Sequence, residues 1–256
     1  FTLVGIDPTG VKFAGYYPDH VQLIPDFFSG DLITDKFAGK KAKVITSFSM
    51  FYDLEDPVKF AVEIESALAE DGVWVFEQSY LPTMLRTNSF DTICHEHLEF
   101  YSLKQICFIL EKARLKLLSV EFNEINGGSF SLTAAKLVAS HPSEDEKIIA
   151  ILAEERALGL DGLEVFDQFF SRVVDEKKKL LQLLQALKAD GKTIYGLGAS
   201  TKGNVLLQHY GLSSEFISAI GEVNEEKFGS YTPGSKIPII SEAELLREQP
   251  DYLLVL

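Results

Sequence analysis

Cys94, His95, Glu96 and His97 occupy consecutive positions and lead directly into an aromatic stretch. The 256 residues contain only five histidines and two cysteines, so much of the chain's metal-binding and acid–base potential lies in this one segment. Two chemistries fit these residue types: metal coordination through sulfur and nitrogen, and proton transfer near neutral pH. A third interpretation makes a histidine here only a structural hydrogen-bonding group.

A metal site would require further ligands elsewhere in the chain. The remaining candidates, none of which forms a pair at ligand spacing, are Cys107, His20, His141 and His209. No metal is therefore predicted. In an extended segment His95 and His97 would point to one side and Glu96 to the other, and two histidines on one side favour proton transfer.

Composition limits the classes of function. The net charge of -14 argues against nucleic acid or an anionic membrane surface as a partner. No apolar run is long enough to span a bilayer. Two distant cysteines do not form a disulfide framework, which favours a reducing, cytoplasmic setting. We expect a monomer or a small homo-oligomer.

The first half of the chain alternates strand and helix patterns. Apolar runs predict buried strands at TLVGID (2–7), VQLIPDFF (21–28), KVITSFSM (43–50) and VWVFEQS (73–79). Pro57 and Gly72 bracket a predicted helix, and Ser102 is placed to cap another. Two further strand patterns, KLLSVEFNE and SFSLTAAKL, are joined through Asn126-Gly127-Gly128, a hairpin signal.

The second half begins with a change of character. Residues 142–190 are charged and helically periodic, which predicts two long connecting helices. GKTIYGLGASTKGN then starts a second strand–loop–helix unit, followed by the strand candidates EFISAIGE, KIPIIS and DYLLVL. Parallel strands linked by helices, with a late antiparallel element, predict an α/β protein.

Polar and aromatic residues follow several of the predicted strands. Ligands of open α/β sheets bind beyond the carboxyl ends of the strands. These positions are Asp7-Pro8-Thr9, Asp26-Phe27-Phe28, Phe51-Tyr52-Asp53 and Gln78-Ser79-Tyr80. Each residue alone would be an ordinary loop residue, but together they indicate a nucleotide-like pocket, with an acid suited to ribose hydroxyls.

A glycine-rich turn lies between a strand and a helix in the second half. Gly196, Gly198 and Gly203 surround the cap candidates Ser200 and Thr201, and Lys202 follows. Backbone N–H groups at a helix start, together with a lysine, suit phosphate. The glycine spacing is not that of a Walker A loop, and a tight turn needed only for packing is the alternative.

The run EQSYLPTMLRTNSFDTICHEHLEFYSL resembles the sugar-nucleotide C-methyltransferases. These enzymes use S-adenosylmethionine to methylate a 4-keto-6-deoxy sugar, carried on a nucleoside diphosphate, at the carbon next to the ketone. The resemblance continues in SMFYDLEDP, NGGSF, YGLGASTKGNVLLQ, YTPG and IPIISE, and it covers nearly the whole chain. It implies a partial class I methyltransferase Rossmann-like domain (1–138), a helical connector (139–190) and a second Rossmann-like domain that helps to hold the nucleotide sugar (191–256).

The resemblance also implies roles for individual residues. His97 would be the general base, with His95 as a second candidate, and Glu96 would orient it or bind a sugar hydroxyl. Tyr52 and Tyr80 would line the sugar pocket or donate to the enolate oxygen. The cofactor, S-adenosyl-L-methionine, would contact Asp7 through its ribose, Asp26 and Phe27 through its adenine, and Pro8, Ser49 and Met50. Gly198, Ser200, Thr201 and Lys202 would face the diphosphate, and Asn126, Gly127 and Gly128 would close the site. This chemistry requires no metal.

Three departures from the family pattern affect these expectations. The chain has no zinc-ligand cysteines and no glycine-rich loop before GIDPTG, so we expect a chain shortened at its N-terminus and also at its C-terminus. Cys94 replaces the tyrosine of a Tyr-x-Glu-His pattern, which predicts a different substrate or sugar carbon. The sugar, the base, the methylated carbon and the stereochemistry stay open.

Two other functions are carried forward. A nicotinamide-dependent oxidoreductase could use the turn at Gly196, with Glu215 or Glu222 as the acid expected about 20 residues further on. A binding module could hold a nucleotide sugar without catalysis.

Overall fold

The computed structural model describes residues 2–256, which form two compact units. Unit 1 contains the residues up to Tyr80 together with Tyr101–Glu155. Unit 2 contains Leu81–Phe100 and Arg156–Leu256. The segment that carries Cys94 to His97 therefore belongs to unit 2, whereas the sequence-based boundaries put it in the first domain.

Strands and helices alternate along most of the chain, as the sequence predicted. The strands are β1 (Leu3–Ile6), β2 (Val21–Ile24), β3 (Ala42–Phe48), β4 (Leu68–Ser79), β5 (Leu115–Asn123), β6 (Ser129–Lys136), β7 (Ile194–Leu197), β8 (Ile220–Glu222), β9 (Ile239–Ser241) and β10 (Tyr252–Val255). The helices are α1 (Gly30–Lys36), α2 (Pro57–Ala67), α3 (Leu81–Thr87), α4 (Leu103–Lys112), α5 (Asp145–Leu158), α6 (Glu164–Ala189), α7 (Thr201–Tyr210) and α8 (Glu242–Glu248).

Unit 1 contains two sheets. β1 and β2 form a parallel pair, and a second sheet has the order β3-β4-β6-β5. β3 and β4 are parallel, whereas β6 runs antiparallel to both β4 and β5, which confirms the predicted hairpin. Among residues 2–256, β1 pairs only with β2 and β3 only with β4, so each strand has one unpaired edge.

The apolar pattern of β3 led to one wrong prediction. The apolar run of this strand was expected to be buried, yet Val44 and Phe48 are 60% and 53% exposed. A strand reads as continuously apolar when it is covered on both faces and paired on both edges. Val44 and Phe48 are four residues apart and therefore lie on one face of the strand, which the described residues leave largely uncovered.

The boundaries of two elements differ from the sequence prediction for local reasons. β2 ends at Ile24 because the next residue, Pro25, has no N–H to donate to a partner strand. Asp56 caps α2 by accepting from the Lys59 N–H (2.9 Å), and Pro57 occupies its first turn as predicted. The helix nevertheless ends at Ala67, well before Gly72, because Leu68 already pairs with Ala42 in the sheet.

An aromatic cluster fixes the carboxyl ends of β3 and β4. Trp74 stacks on Phe76 with ring centroids 3.9 Å apart, and Phe51 packs against both rings. The indole Nε1–H of Trp74 donates to the Ser47 hydroxyl (2.9 Å). Because these rings are almost completely buried, the loops that follow the two strands start from a rigid base.

Unit 2 contains a four-stranded parallel sheet with the order β10-β7-β8-β9. This sheet, the helix α7 after β7, and the long helices α5 and α6 all agree with the sequence prediction. The core of the unit is aliphatic and aromatic, with Phe169, Val173, Leu184, Ile194 and Leu207 among its buried members. None of the helices within residues 2–256 combines the length and apolar content needed to cross a membrane.

Candidate functional site

The Cys94–His97 segment is a turn, not the extended segment that the sequence suggested. The His97 N–H donates to the Cys94 carbonyl (3.3 Å), which closes the turn with His95 and Glu96 in its centre. Both central residues are exposed, whereas Cys94 and His97 are half-buried. The two histidines therefore do not share one face as they would in a strand. His95 is exposed to solvent, whereas His97 is half-buried.

A hydrogen bond to backbone fixes the imidazole of His97. Its Nδ1 lies 2.8 Å from the carbonyl oxygen of Thr92. Because a carbonyl can only accept, Nδ1 carries the proton, and in the neutral ring Nε2 carries the lone pair. The sequence offered Glu96 as the group that orients His97, but the structure gives this role to the Thr92 carbonyl, a group that side-chain patterns do not reveal.

Thr92 is itself held firmly. Its hydroxyl donates to the Ser89 carbonyl (2.9 Å), and the residue is only 3% exposed. Two residues earlier, the ring of Phe90 packs against His209 and Tyr210 at the end of α7, with centroids 5.1 and 5.5 Å apart. The segment that carries His97 is thus anchored to unit 2 by a buried aromatic contact. Burial, followed by the Lys177 charge, lowers the pKa of His209, which favours its neutral form.

The carboxyl ends of β1 and β2 bring Asp7 and Asp26 together. Both backbone N–H groups donate to the Ile24 carbonyl, at 3.2 and 2.9 Å. The Asp7 Oδ1 accepts from the Thr9 hydroxyl and N–H, which lower the pKa of this carboxyl below its usual value. Among residues 2–256 its Oδ2 has a long contact of 3.5 Å to the Tyr17 hydroxyl, which leaves it the capacity to accept from a ribose hydroxyl.

Phe27 is an exposed ring beside these two acids. It is 76% exposed, although a large aromatic side chain is normally at least partly covered. Its N–H donates to the Asp26 Oδ1 (2.8 Å), which fixes the turn after β2. An ionised acid and an uncovered ring at neighbouring strand ends fit the ribose and adenine of an adenosine group. Pro8, also predicted for this site, is exposed in the turn after β1.

The turn after β3 contains the other residues predicted on the cofactor side. Ser49 has a left-handed backbone (φ 52°) and donates its N–H to the Glu77 carbonyl of β4 (2.9 Å). Non-glycine residues in this region are uncommon and often mark functional turns. Met50 packs against the core, and Tyr52 is half-buried in the short helical turn that follows.

Tyr80, which was predicted to line the sugar pocket or to donate to the enolate oxygen, is buried and supports its neighbours in the structure. Only 8% of it is exposed, and its ring packs against Phe122 and Phe130. Its hydroxyl donates to Glu155 (2.8 Å), which also accepts from the N–H groups of Leu103 (2.6 Å) and Lys104 (3.0 Å). Sequence reasoning missed Glu155, because it lies in a charged helix 75 residues from its tyrosine partner.

The Asn126-Gly127-Gly128 segment forms the predicted turn between β5 and β6. All three residues have positive φ (55°, 85° and 124°), which explains the choice of asparagine and glycine. The Gly128 carbonyl accepts from the Tyr80 N–H (3.1 Å), so this turn lies at the end of β4. Asn123, which sequence reasoning missed, fixes the turn by accepting from the Ile125 N–H and donating to Glu77.

The glycine-rich turn of unit 2 connects β7 to α7. Gly198 has φ 86° and donates its N–H to Gly221 (2.8 Å), and Ser200 caps α7 by accepting from the Gly203 N–H (2.8 Å). Thr201 and Lys202 form the first turn of the helix. Ser200 has therefore the predicted cap role, and the predicted diphosphate residues lie together at one helix start.

Glu222 braces this turn from the end of the neighbouring strand β8. Its carboxylate accepts from the N–H groups of Ala199 (2.9 Å), Val223 (2.8 Å) and Asn224 (3.1 Å) and from the Lys227 ammonium (3.3 Å). Burial alone would raise the pKa of this carboxyl, but the hydrogen bonds outweigh burial and lower the pKa to about 2. Glu222 is therefore ionised at neutral pH.

Within residues 2–256, no group of three His, Cys, Asp or Glu side chains is placed to hold a metal ion. Cys94 and Cys107 are both free thiols. Burial, followed by the charge of Glu155, raises the pKa of the Cys107 thiol.

Comparison with known proteins assigns the chain to a family. A model of the C-terminal domain of C-methyltransferases matches residues 124–256, and a methyltransferase-domain model matches residues 1–120. The chain is 32% identical to the C-methyltransferase NovU of Streptomyces niveus over 257 residues, or 99% of this chain. It belongs to the C-methyltransferase family. The match spans 60% of the length of NovU.

The solved structures that are similar to this C-methyltransferase family member share a lower sequence identity with it than NovU does. LepI in complex with SAM has a TM-score of 0.42 and 13% identity, over 52% of this chain and 36% of LepI. The N-methyltransferase NodS of Bradyrhizobium japonicum WM9, in complex with S-adenosyl-L-homocysteine, has a TM-score of 0.37 and 15% identity, over 53% of this chain and 66% of NodS.

The hydrogen bonds of Glu222 also argue against the oxidoreductase alternative, in agreement with membership of the C-methyltransferase family. Glu222 stands at the end of the strand beside β7, where a dinucleotide-binding unit places the acid for its ribose. A carboxylate has about four acceptor positions, and four protein donors already occupy those of Glu222. Little capacity is left for ribose hydroxyls.

Proposed function

We propose that the protein is an S-adenosylmethionine-dependent C-methyltransferase that acts on a nucleotide-linked keto-deoxysugar, next to the ketone. Family membership supports C-methyl transfer. The observation that carries the chemistry is the hydrogen bond from His97 Nδ1 to the Thr92 carbonyl, which leaves the lone pair on Nε2. The sugar class rests on the motifs around Cys94–His97.

The residues at the ends of β1 and β2 are suited to hold the adenosine part of the cofactor. Asp7 would accept from the ribose hydroxyls through Oδ2, and its low pKa keeps it ionised for this purpose. Phe27 would stack on the adenine, beside Asp26. S-adenosylmethionine held there would supply an electrophilic methyl group, and its sulfur would keep the electron pair of the methyl–sulfur bond.

His97 would act on the substrate as a general base. A proton on the carbon next to a ketone is acidic enough for a positioned imidazole to remove. The proton would move to Nε2, and the former C–H electron pair would form the enolate, whose carbon would accept the methyl group. The imidazolium that forms keeps its Nδ1–H on the Thr92 carbonyl, so the ring does not need to turn.

The other predicted residues are assigned to substrate. Tyr52 would donate to the enolate oxygen, and Glu96, exposed in the turn, would bind a sugar hydroxyl. Tyr80 supports the end of β4 through Glu155, beside the turn at Asn126–Gly128. The glycine-rich turn with Ser200, Thr201 and Lys202 would face the diphosphate.

Mass spectrometry of the reaction product tests this function. The protein is incubated with S-adenosylmethionine and thymidine- or uridine-diphosphate-linked 4-keto-6-deoxysugars in deuterated water. We expect a product that gains one methyl group on carbon, and His97-dependent exchange of the adjacent proton in substrate recovered before methylation. A methyl group on oxygen or nitrogen, or exchange that is unchanged in His97→Ala, would contradict the proposal.

One observation favours binding without catalysis as a second candidate. β1 and β3 each present an unpaired edge among residues 2–256, at the strand ends that carry Asp7 and Ser49. If this arrangement fails to bind the methyl donor, the chain would hold only the nucleotide sugar. Binding of uridine or thymidine diphosphate without binding of S-adenosylhomocysteine would identify this case.

A further inference from the structure

The turn after β7 is held at a single residue, Ala199. Its N–H donates to the Glu222 Oε2 (2.9 Å), and its carbonyl accepts from the Lys227 Nζ (2.9 Å). Glu222 and Lys227 also form an ion pair (3.3 Å). The two polar groups of Ala199 are therefore fixed by two side chains that also hold each other, which sets the orientation of both adjoining peptide groups.

This contact is built into the fold around β8. Glu222 is the last residue of the strand and is 8% exposed, and its other oxygen accepts from Val223 and Asn224. Asn224 caps the short helical turn that carries Lys227 by accepting from the Glu226 N–H (3.0 Å). Both charged side chains thus start from backbone that the fold holds in place, so the positions from which they reach Ala199 are fixed.

Ala199 immediately precedes the start of α7. The next residue, Ser200, is the helix cap, so the peptide groups that Glu222 and Lys227 orient determine how the first N–H groups of α7 are presented. The negative charge of Glu222 would by itself repel a phosphate at this helix start, but Lys227 neutralises it locally. The pair can therefore shape the turn without opposing an anionic ligand.

We infer that Glu222, paired with Lys227, is the positioning residue that holds the Gly196–Ser200 turn in the shape required to bind the diphosphate of the substrate. This inference rests on the proposed function, because it takes a nucleoside diphosphate as the ligand of the turn. Glu222 acts through Ala199 and does not touch the ligand.

Calorimetric titrations with nucleoside diphosphates and with the matching nucleosides test this role. Thymidine and uridine diphosphate measure the whole interaction, and thymidine and uridine measure it without phosphate. The variants are Glu222→Gln, which removes the charge, and Glu222→Asp, which keeps the charge on a shorter side chain. Glu226→Gln is the matched control, since Glu226 is an exposed acid in the same loop.

The sign of the change distinguishes positioning from simple electrostatics. Loss of a negative charge near a phosphate would strengthen binding if Glu222 were a bystander. A positioning role predicts that Glu222→Gln and Glu222→Asp each weaken diphosphate binding about tenfold, the value of one well-made hydrogen bond. Nucleoside binding, S-adenosylhomocysteine binding and the Glu226→Gln control should not change.

Diphosphate binding that is unchanged or tighter in both Glu222 variants would overturn the inference while leaving the proposed function intact. If Glu222→Gln does not fold, Glu222→Asp alone decides, because it keeps the negative charge and changes only the length of the side chain. Wild-type protein that binds S-adenosylhomocysteine but no nucleoside diphosphate would instead overturn the proposed substrate, and the inference with it.

Discussion

His97 is the residue on which the proposed chemistry depends. Its Nδ1 is bound to the Thr92 carbonyl, so Nε2 is the basic atom, and removal of the ring removes the base. We expect His97→Ala to fold normally and to lose about 10²–10⁴-fold in turnover, the usual contribution of a general base. Circular dichroism would check the fold, and the rate of methyl transfer at saturating substrate would check the loss.

His95 provides the matched control for this variant. It is exposed at the centre of the same turn, two residues away, and His95→Ala should lose far less activity. Equal losses in the two variants would mean that the turn as a whole, and not the His97 imidazole, is what matters.

Glu222 gives a second prediction at the residue scale, in the pH dependence of stability. Its folded pKa of about 2 lies below the ordinary value of 4.5, so the unfolded chain takes up the proton first as the pH falls. The stabilisation is complete above about pH 5 and is lost between about pH 4.5 and 2. Glu222→Gln should therefore lower the melting temperature of unit 2 at pH 7.

The comparison with wild type at low pH completes this test. The difference in melting temperature should shrink as the pH falls towards 3, because wild-type Glu222 then loses its advantage over a neutral side chain. A difference that stays constant from pH 7 to pH 3 would show that ionised Glu222 does not stabilise the unit. Differential scanning calorimetry across this pH range measures it directly.

At the scale of elements, Glu155 connects α5 to the start of α4 and to the end of β4. Three donors depend on this one buried carboxylate, namely the Tyr80 hydroxyl and the first two N–H groups of α4. Glu155→Ala should therefore lower the free energy of unfolding by about 1–3 kcal/mol or more, the cost of leaving buried donors unpaired. Urea denaturation measures this loss.

Glu154 is the control for Glu155. It is the preceding residue of the same helix and is exposed, so Glu154→Ala should change stability by less than about 0.5 kcal/mol. Tyr80→Phe should cost less than Glu155→Ala, since it removes only one of the three donors. If Glu155→Ala were as harmless as its control, the carboxylate would have no structural role.

Elements whose signals are local could be predicted from the sequence. Pro57, Ser102 and the Asn126-Gly127-Gly128 turn all mark the boundaries expected of them, and the strand–turn–helix at Gly198 forms as predicted. The Cys94–His97 turn could not be predicted, because the bond that closes it joins two backbone groups, the His97 N–H and the Cys94 carbonyl. Glu155 was missed because its tyrosine partner is distant in sequence. Glu222 was considered only as a ribose-binding acid, because its main partners are backbone N–H groups that a sequence pattern does not show.

At the scale of the whole molecule, β3 shows that an apolar sequence pattern alone does not determine whether a strand is buried. The apolar run of β3 was expected to be buried, but burial depends on the elements that cover each face of the strand, which no pattern within the run can reveal. Each of the two units nevertheless has a main buried core of its own, and unit 1 has a second, smaller cluster around Leu118, Ala135 and Ala139. The α/β class could therefore be predicted from alternation alone, whereas the exposure of particular strands could not.

Titration of the protein with S-adenosylhomocysteine tests the central claim most directly. We expect calorimetry to give a dissociation constant in the micromolar range, and Asp7→Asn to weaken binding about tenfold because a charged hydrogen bond to the ribose is lost. Asp19→Asn, at an exposed acid of the same unit, should bind like wild type. No binding by the folded protein, or equal affinity in Asp7→Asn, would contradict the assignment of the methyl donor to this site.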